Sequence, residues 1–374
     1  MHILALISYK VFPAEMGGQK GIADFYHYLS TYDQITILAS KNNALNDIPF
    51  VSKFNYMFPH GKGLLNLLKL PFVVQLIYKK KIDLIIVEHS YWGWYGYILR
   101  LITGVPFIIH SHNIEAFRFK MQGNKFWRFY GIYEKKIHQL CNYQFFKCAD
   151  DADYAFHFWH IPYSKMVIIP YGTHFATTPE TDYKINARNT LIHQFKISPN
   201  TFLLLFNGTL NYTPNKEALE KILQNIVPAL KQANFLFCLL ICGKNLPQKF
   251  KHQIEKQYPE IQYIGFVDNF NLIMAGVDAL ILPGMLATGI KTKIIEALAL
   301  NTVVITTKTG ARGIPDDTNL TNLICVNDKD GNAFNKEIIS LQPSKCCTPQ
   351  SFYNTFYWGN IAKMAHEMLL KING

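Results

Sequence analysis

A chain of 374 residues is too long for one compact domain and suits two of roughly 150–200 residues each. At 49% hydrophobic and 17% charged, it can bury enough apolar surface to offset its ordering entropy, which excludes a largely disordered protein. The net charge of +11 and the 14% aromatic content point to an anionic partner: nucleic acid, a membrane surface or a phosphorylated small molecule.

The chain opens on MHILALI, an apolar run without a basic flank or a small-residue cleavage site. It predicts a buried first strand and no signal peptide. Further strands are expected at 34–39, 84–87, 106–110 and 166–169, with longer helical patterns between them. The most apolar stretch, 63–78, is broken by Asn66, Lys69 and Gln75 and falls short of the ~20 residues a bilayer requires. The polar stretch 175–186 reads as a linker. Beyond it, strands are expected at 202–206, 235–241, 261–264, 279–282 and 303–306, with helices at 215–231, 249–257 and 291–300. Strands alternating with helices predict α/β domains built on parallel sheets. The expected division is 1–178, 179–350 and a terminal segment 351–374, in which 351–372 reads as one amphipathic helix.

Seven scattered cysteines, an odd number, argue against a disulfide framework and for a reducing cytoplasm. Cys238 and Cys242 read as core residues, and the adjacent Cys346 and Cys347 lack the spaced partners of a zinc site. Asp151-Ala-Asp153 reads as a solvated turn. His110 and His112 share one strand face but have no acidic or cysteine partner at ligand spacing, so no metal is expected. No nucleic-acid module is recognisable, so nucleic acid is not an expected partner.

The richest motif is ILPGMLATGIKTKIIEALAL, residues 281–300. A strand ends at Pro283, a loop holds Gly284 and Gly289, and a helix is expected from Lys291. Helix-start N–H groups with Lys291 and Lys293 suit an anion at the carboxyl edge of a sheet. Glu296 follows Lys293 by three residues on the same face, where a carboxylate can accept from a ribose diol. The bland alternative is an ordinary solvated helix start.

This run, continued by VVITTKTGARGI, resembles the donor-site signature of GT-B glycosyltransferases of family 4. FNGTLNYTPNKEAL and YIGFVDNFNLIMAGVDALILP resemble other parts of that family's second domain. FPAEMGGQKGIADF and PFIIHSHNIEAFRFK match its first. The resemblance implies an α/β GT-B fold, two Rossmann-like doubly wound domains facing across a cleft, with the last helix returning to the first domain. It implies sugar transfer from a nucleotide-diphosphate sugar to an acceptor hydroxyl, with retention and with neither metal nor other cofactor. A glycan or lipid-linked acceptor would be the partner, in envelope polysaccharide or glycolipid synthesis.

Carried over by residue, Gly17 and Gly18 would allow close approach of a phosphate or sugar, and His112, catalytic together with Lys293, would help position the donor sugar or its transition state without acting as a general base. Gly208 and Thr209 would begin the facing loop, Phe266 and Val267 would meet the base, and Thr288, Gly289, Ile290 and Lys291 would line the donor loop. Lys293 would meet the diphosphate and Glu296 the ribose. Three departures stand out: Thr288 replaces a glutamate, residues 210–215 lack an Arg/Lys pair, and Tyr171 and His174 replace Asn and Asp. A GT-B epimerase or hydrolase, or a non-catalytic anion-binding protein, remains the alternative.

Charge is concentrated in the first half: 13 Lys/Arg face four acidic residues between Gly61 and Lys147, a balance of +9. Interleaved aromatics, with Lys79, Lys80 and Lys81, suggest peripheral binding to an anionic membrane surface on the inner face of the cell membrane.

Overall fold

The computed structural model describes residues 1–45, 48, 52–284, 289–315, 319–328, 330, 332–343 and 346–373. The chain forms two compact units. The first comprises Met1–His174, Thr288–Ile290 and Phe356–Gly374; the second comprises Phe175–Ala287 and Lys291–Thr355.

In the first unit, β1 (His2–Ile7), β2 (Gln34–Ser40), β3 (Ser52–Met57), β4 (Leu84–Glu88), β5 (Phe107–His110), β6 (Tyr143–Phe146) and β7 (Met166–Ile168) form one parallel sheet. Its order is β3-β2-β1-β4-β5-β6-β7. Parallel neighbours require crossovers, so helices cover both faces and the central strands are mainly apolar, with Glu88 ending β4 and His110 ending β5 as exceptions. Successive side chains of β1 alternate between the two layers. Ile3, Ala5 and Ile7 pack with Ile22, Phe25 and Leu29 of the helix Gly17–Leu29. Leu4 and Leu6 pack on the other face with Val73, Leu76, Tyr95 and Leu99.

The second unit repeats the plan with β8 (Phe202–Asn207), β9 (Phe237–Cys242), β10 (Ile261–Gly265), β11 (Ala279–Leu282), β12 (Val303–Thr307) and β13 (Leu323–Val326). This sheet is also parallel, in the order β10-β9-β8-β11-β12-β13.

Four expectations need correction. β3, β6 and β13 have no counterpart in the sequence reading, because β3 and β13 are half-exposed and β6 is a four-residue strand containing Gln144. The expected linker contains the start of a helix, Thr181–Phe195, which caps the second unit with Ala187 and Leu191. Asp151 and Asp153 lie in a helix, Ala149–Tyr154, and Asp151 is buried. The terminal segment is two helices, Gln350–Phe356 and Trp358–Asn373. The break has a cause. Thr173 donates to the Phe356 carbonyl at 2.7 Å and accepts from the Trp358 amide at 3.0 Å, which takes the backbone at Tyr357 out of the helix.

Trp358, Ile361, Ala365 and Leu369 complete the first unit's core, and a Cβ on Gly172 would collide with the Trp358 ring. Trp358→Ala should therefore destabilise the first unit by about 3–5 kcal/mol. Chemical unfolding followed by fluorescence measures this; a midpoint equal to that of the unaltered chain would contradict the assignment.

Candidate active site

Each sheet reverses its strand order once, between β1 and β4 in the first unit and between β8 and β11 in the second. Loops leaving the carboxyl ends of such a strand pair diverge and open a crevice, which is where doubly wound sheets bind ligands. Gly17, Gly18, Gly208, Thr209 and the segment 289–296 adjoin the strands at these two points, whereas Phe266 and Val267 follow the edge strand β10.

In the second unit, β11 leads through Pro283 and Gly284 toward the helix Thr292–Ala299, with Lys291 as its N-cap residue. Thr288 lies outside the described residues. Gly289 takes a left-handed φ of 70°, which favours glycine, and Ile290 is buried; both are grouped with the first unit. The Lys293 ammonium donates to the Asn207 carbonyl at the end of β8 (2.7 Å), with Asn215 Oδ1 at 3.5 Å. Lys291 donates to the Gly310 carbonyl at 3.3 Å. Burial lowers both ammonium groups, Lys291 to about 7 with Lys293 adding repulsion, and Lys293 to about 8 against the pull of Glu296. Glu296 thus sits within the electrostatic reach of Lys293, as its helical spacing predicts.

The glycine loops interlock beside these cations. A Cβ on Gly243 would strike the Gly208 carbonyl, and Gly208 itself has φ 153°. Asn215 Nδ2 donates to the Thr209 carbonyl at 3.0 Å and so ties this loop to Lys293. Phe266 is 56% exposed, with the Lys244 ammonium 4.3 Å from its ring centre, and half-buried Val267 follows it. An exposed ring beside a cation is suited to stacking a planar base. Asn215, Gly243 and Lys244 contact these candidate residues and are not singled out by the sequence reading; the glycine ending the apolar run FCLLICG is the available signal for Gly243.

In the first unit, Gly17 and Gly18 form the first turn of the helix Gly17–Leu29. The close approach is at Gly21, where a Cβ would strike the Tyr171 ring, while Gly18 faces the Tyr171 hydroxyl at ordinary contact distance. His112 is 1% exposed and both its ring nitrogens are engaged: Nδ1 with the Tyr171 hydroxyl at 2.8 Å, Nε2 with Glu88 Oε2 at 2.7 Å. The imidazole therefore reaches a ligand only if one of these bonds opens.

The pair His110 and His112 does have an acidic partner, contrary to the expectation from spacing. Glu88, the last residue of β4, accepts from His110 Nδ1 at 3.0 Å and from the Tyr26 hydroxyl at 2.6 Å as well as from His112. The potential ligand atoms of Glu88, His110 and His112 lie within 4.8 Å of one another, but they already bond to each other. Burial opposes the charge on Glu88, yet the two histidines outweigh it and hold the carboxyl well below its usual range. Burial pushes His110 down to about 4 and His112 well below the ordinary imidazole value. Lys147, fully buried with its ammonium 4.7 Å from the Tyr171 ring centre, is lowered to about 7 by burial against the pull of Glu88.

The depressed lysines generate a pH prediction. A bound diphosphate favours the charged ammonium, so binding takes up protons once the free lysines have begun to lose theirs. Below pH 7 the lysines themselves should add little pH dependence to the affinity for a nucleoside diphosphate. Above it, affinity should fall by up to roughly tenfold per pH unit for each lysine. Calorimetry in buffers of different ionisation heat reads the uptake, and binding without proton uptake at pH 8 would contradict it.

Comparisons with known proteins bear on the family and the fold. Residues 201–342 match the family described as Glycosyl transferases group 1, and residues 18–176 match Glycosyltransferase Family 4. The structure resembles sucrose-phosphate synthase from Thermosynechococcus elongatus, at 18% identity and a TM-score of 0.75, covering 100% of this chain and 99% of that one. It resembles Anabaena HepE in complex with UDP and glucose at 16% identity and a TM-score of 0.73, covering 99% and 100%. WaaG, a glycosyltransferase involved in lipopolysaccharide biosynthesis, aligns at 14% identity and a TM-score of 0.64, covering 98% and 99%. No curated protein matches the sequence. Such distant structural likeness shows the fold, and the two family matches, one on each half, show the family. The chain belongs to the group 1/family 4 glycosyltransferases and has their two-domain GT-B fold.

Proposed function

We propose that the chain moves a sugar from a nucleotide-diphosphate sugar to an acceptor hydroxyl, with retention and without a metal. The observation that carries this reading is the pair Lys291 and Lys293 at the start of the helix Thr292–Ala299, each held by a backbone carbonyl. Departure of the nucleoside diphosphate leaves negative charge on its terminal phosphate while the anomeric carbon becomes positive. Two ammonium groups and the helix-start N–H groups stabilise that leaving charge, the task a divalent ion performs in other transferases. Glu296 takes the ribose, Phe266 and Val267 the base, and the loop carrying Thr288, Gly289 and Ile290 the sugar. His112 acts as a positioning residue through Glu88 and Tyr171. The UDP bound by HepE supports a uridine nucleotide, and WaaG supports an envelope glycan or glycolipid acceptor.

Incubation with UDP- and GDP-sugars and a panel of alkyl glycosides tests this. Acceptor-dependent nucleotide release that persists in EDTA, with an unchanged anomeric configuration in the product, is the expected result. Lys293→Ala should lower the rate by roughly 10²–10³ in a folded protein. Release that EDTA abolishes, or a fully active Lys293→Ala chain, would overturn the site assignment.

We further propose that the first unit works at an anionic membrane surface. Among the described residues, no helix is long and apolar enough to cross a membrane. After β3 and β5 the chain is at the carboxyl edge of the sheet, and there it exposes Leu64, Leu68, Phe126 and Phe129, each at least 71%. Lys62, Lys69, Lys120, Lys125 and Arg128 lie in the same two segments. Apolar side chains seat at the headgroup level while each basic residue near the surface contributes about 1 kcal/mol. Trp92, by contrast, is core. Lys79, Lys80 and Lys81 close the helix Leu70–Lys80, which returns to the amino edge, so they are not part of this face. Liposome co-sedimentation should rise with anionic lipid and weaken in a Phe126→Ser, Phe129→Ser variant. Binding indifferent to lipid charge and to these changes would leave a soluble acceptor.

A further inference from the structure

The loop after β1 and the residue after β4 flank the first sheet's point of reversal, and they carry a second hydrogen-bonded chain beside the Glu88 cluster. His89 follows Glu88 with φ 59° and ψ 166°, a conformation ordinarily reserved for glycine. Its amide donates to the His110 carbonyl at 3.0 Å, so the strained backbone is locked to the neighbouring strand. Strain of this kind persists where a side chain must be held in one place.

What the strain places is the imidazole. It lies between the rings of Tyr91 and His112, with centroids at 5.2 and 4.4 Å and nearly parallel planes. His89 Nδ1 meets Glu115 Oε1 at 2.7 Å, and Nε2 meets the Tyr9 hydroxyl at 3.0 Å. Glu115 Oε2 accepts from Arg118 Nε at 2.6 Å and from the Tyr91 hydroxyl at 2.7 Å, contacts that suit an ionised carboxylate. A carboxylate only accepts, so Nδ1 carries a proton; in the neutral ring Nε2 is then an acceptor, and the Tyr9 O–H donates to it.

Tyr9 sits in a pinned loop. Asn43 donates to its carbonyl at 2.9 Å and accepts from the amides of Val11 and Phe12, while Gln19 ties Lys10 to Glu15 and Met16. Tyr9 is half-buried, and among the described residues its hydroxyl has no hydrogen-bond partner besides His89. With its proton committed inward, the phenolic oxygen can only accept from whatever meets it outside.

We propose that Tyr9 accepts a hydrogen bond from a hydroxyl of the acceptor glycan, with His89 and Glu115 as positioning residues that fix the direction of that bond. This rests on the transferase reading above and names one of its acceptor contacts. It selects acceptors that present a donor hydroxyl at this point and disfavours those whose oxygen there is alkylated.

Two measurements on the full chain test it. Nitrogen-15 spectra of labelled histidine, with His89 assigned by its loss in His89→Gln, should show the Nδ1–H tautomer; an Nε2–H or doubly protonated ring would overturn the inference. Tyr9→Phe, assayed with UDP- and GDP-sugars against the alkyl glycoside panel, should raise the acceptor KM about tenfold, the effect of one ordinary hydrogen bond, while the Kd for UDP stays put. Wild-type turnover whose acceptor KM is unaffected by Tyr9→Phe overturns this inference alone. A parallel loss of UDP affinity would assign Tyr9 to the fold and overturn it as well. Absence of any wild-type turnover would overturn the transferase reading and this inference with it.

Discussion

Two half-buried ammonium groups, Lys291 and Lys293, are the constraint around which the second unit is built. Removing a cation from water is unfavourable unless an acceptor replaces the lost hydration, and here backbone carbonyls of Gly310 and Asn207 provide part of that replacement. A carbonyl offers only a partial negative charge, so both groups are pushed toward neutrality. On the proposed function, an arriving diphosphate would reverse that balance. Gly208 and Gly243 belong to the same design, since their backbones pack against each other more closely than any β-carbon would allow.

The first unit uses the opposite sign. Glu88 is a buried carboxylate that gathers Tyr26, His110 and His112, with Lys147 as the nearby buried cation. Such a network is stable only when its members are satisfied together, so each residue constrains the next. His112 inherits its orientation from Glu88 and Tyr171, and Tyr171 requires Gly21 beneath it. Polar side chains are thereby fixed in one arrangement at the carboxyl edge of the sheet. Glu115 and Glu134 show how finely this edge is divided. Burial opposes charge on both, but His89 and Arg118 hold Glu115 down to about 2, while Glu134 is pushed up to about 8.

The candidate site of the second unit is legible in the sequence because its parts are local: a strand, a glycine-bearing loop and a helix on which Lys293 and Glu296 share a face. Three-residue spacing on a helix can be read from a string of letters. The Glu88 network is not legible, because Glu88 and His110 lie 22 residues apart and the pairing of β4 with β5 decides which polar side chains meet. The same holds for Tyr9, His89 and Glu115, which come from the loop after β1, the residue after β4 and the start of the helix Glu115–Met121. The half-exposed edge strands β3 and β13 escape for a different reason, since their composition satisfies water on one side and carries little apolar signal. The terminal helix looks continuous because its apolar period runs through Tyr357, and only the backbone pairing with Thr173 interrupts it.

The most direct measurement is a crystal structure of the chain with UDP bound. The account predicts the terminal phosphate within hydrogen-bond distance of the Lys293 and Lys291 ammonium groups, the ribose at Glu296 and the base against Phe266. UDP bound elsewhere, or with its phosphates turned away from Lys293, would contradict it.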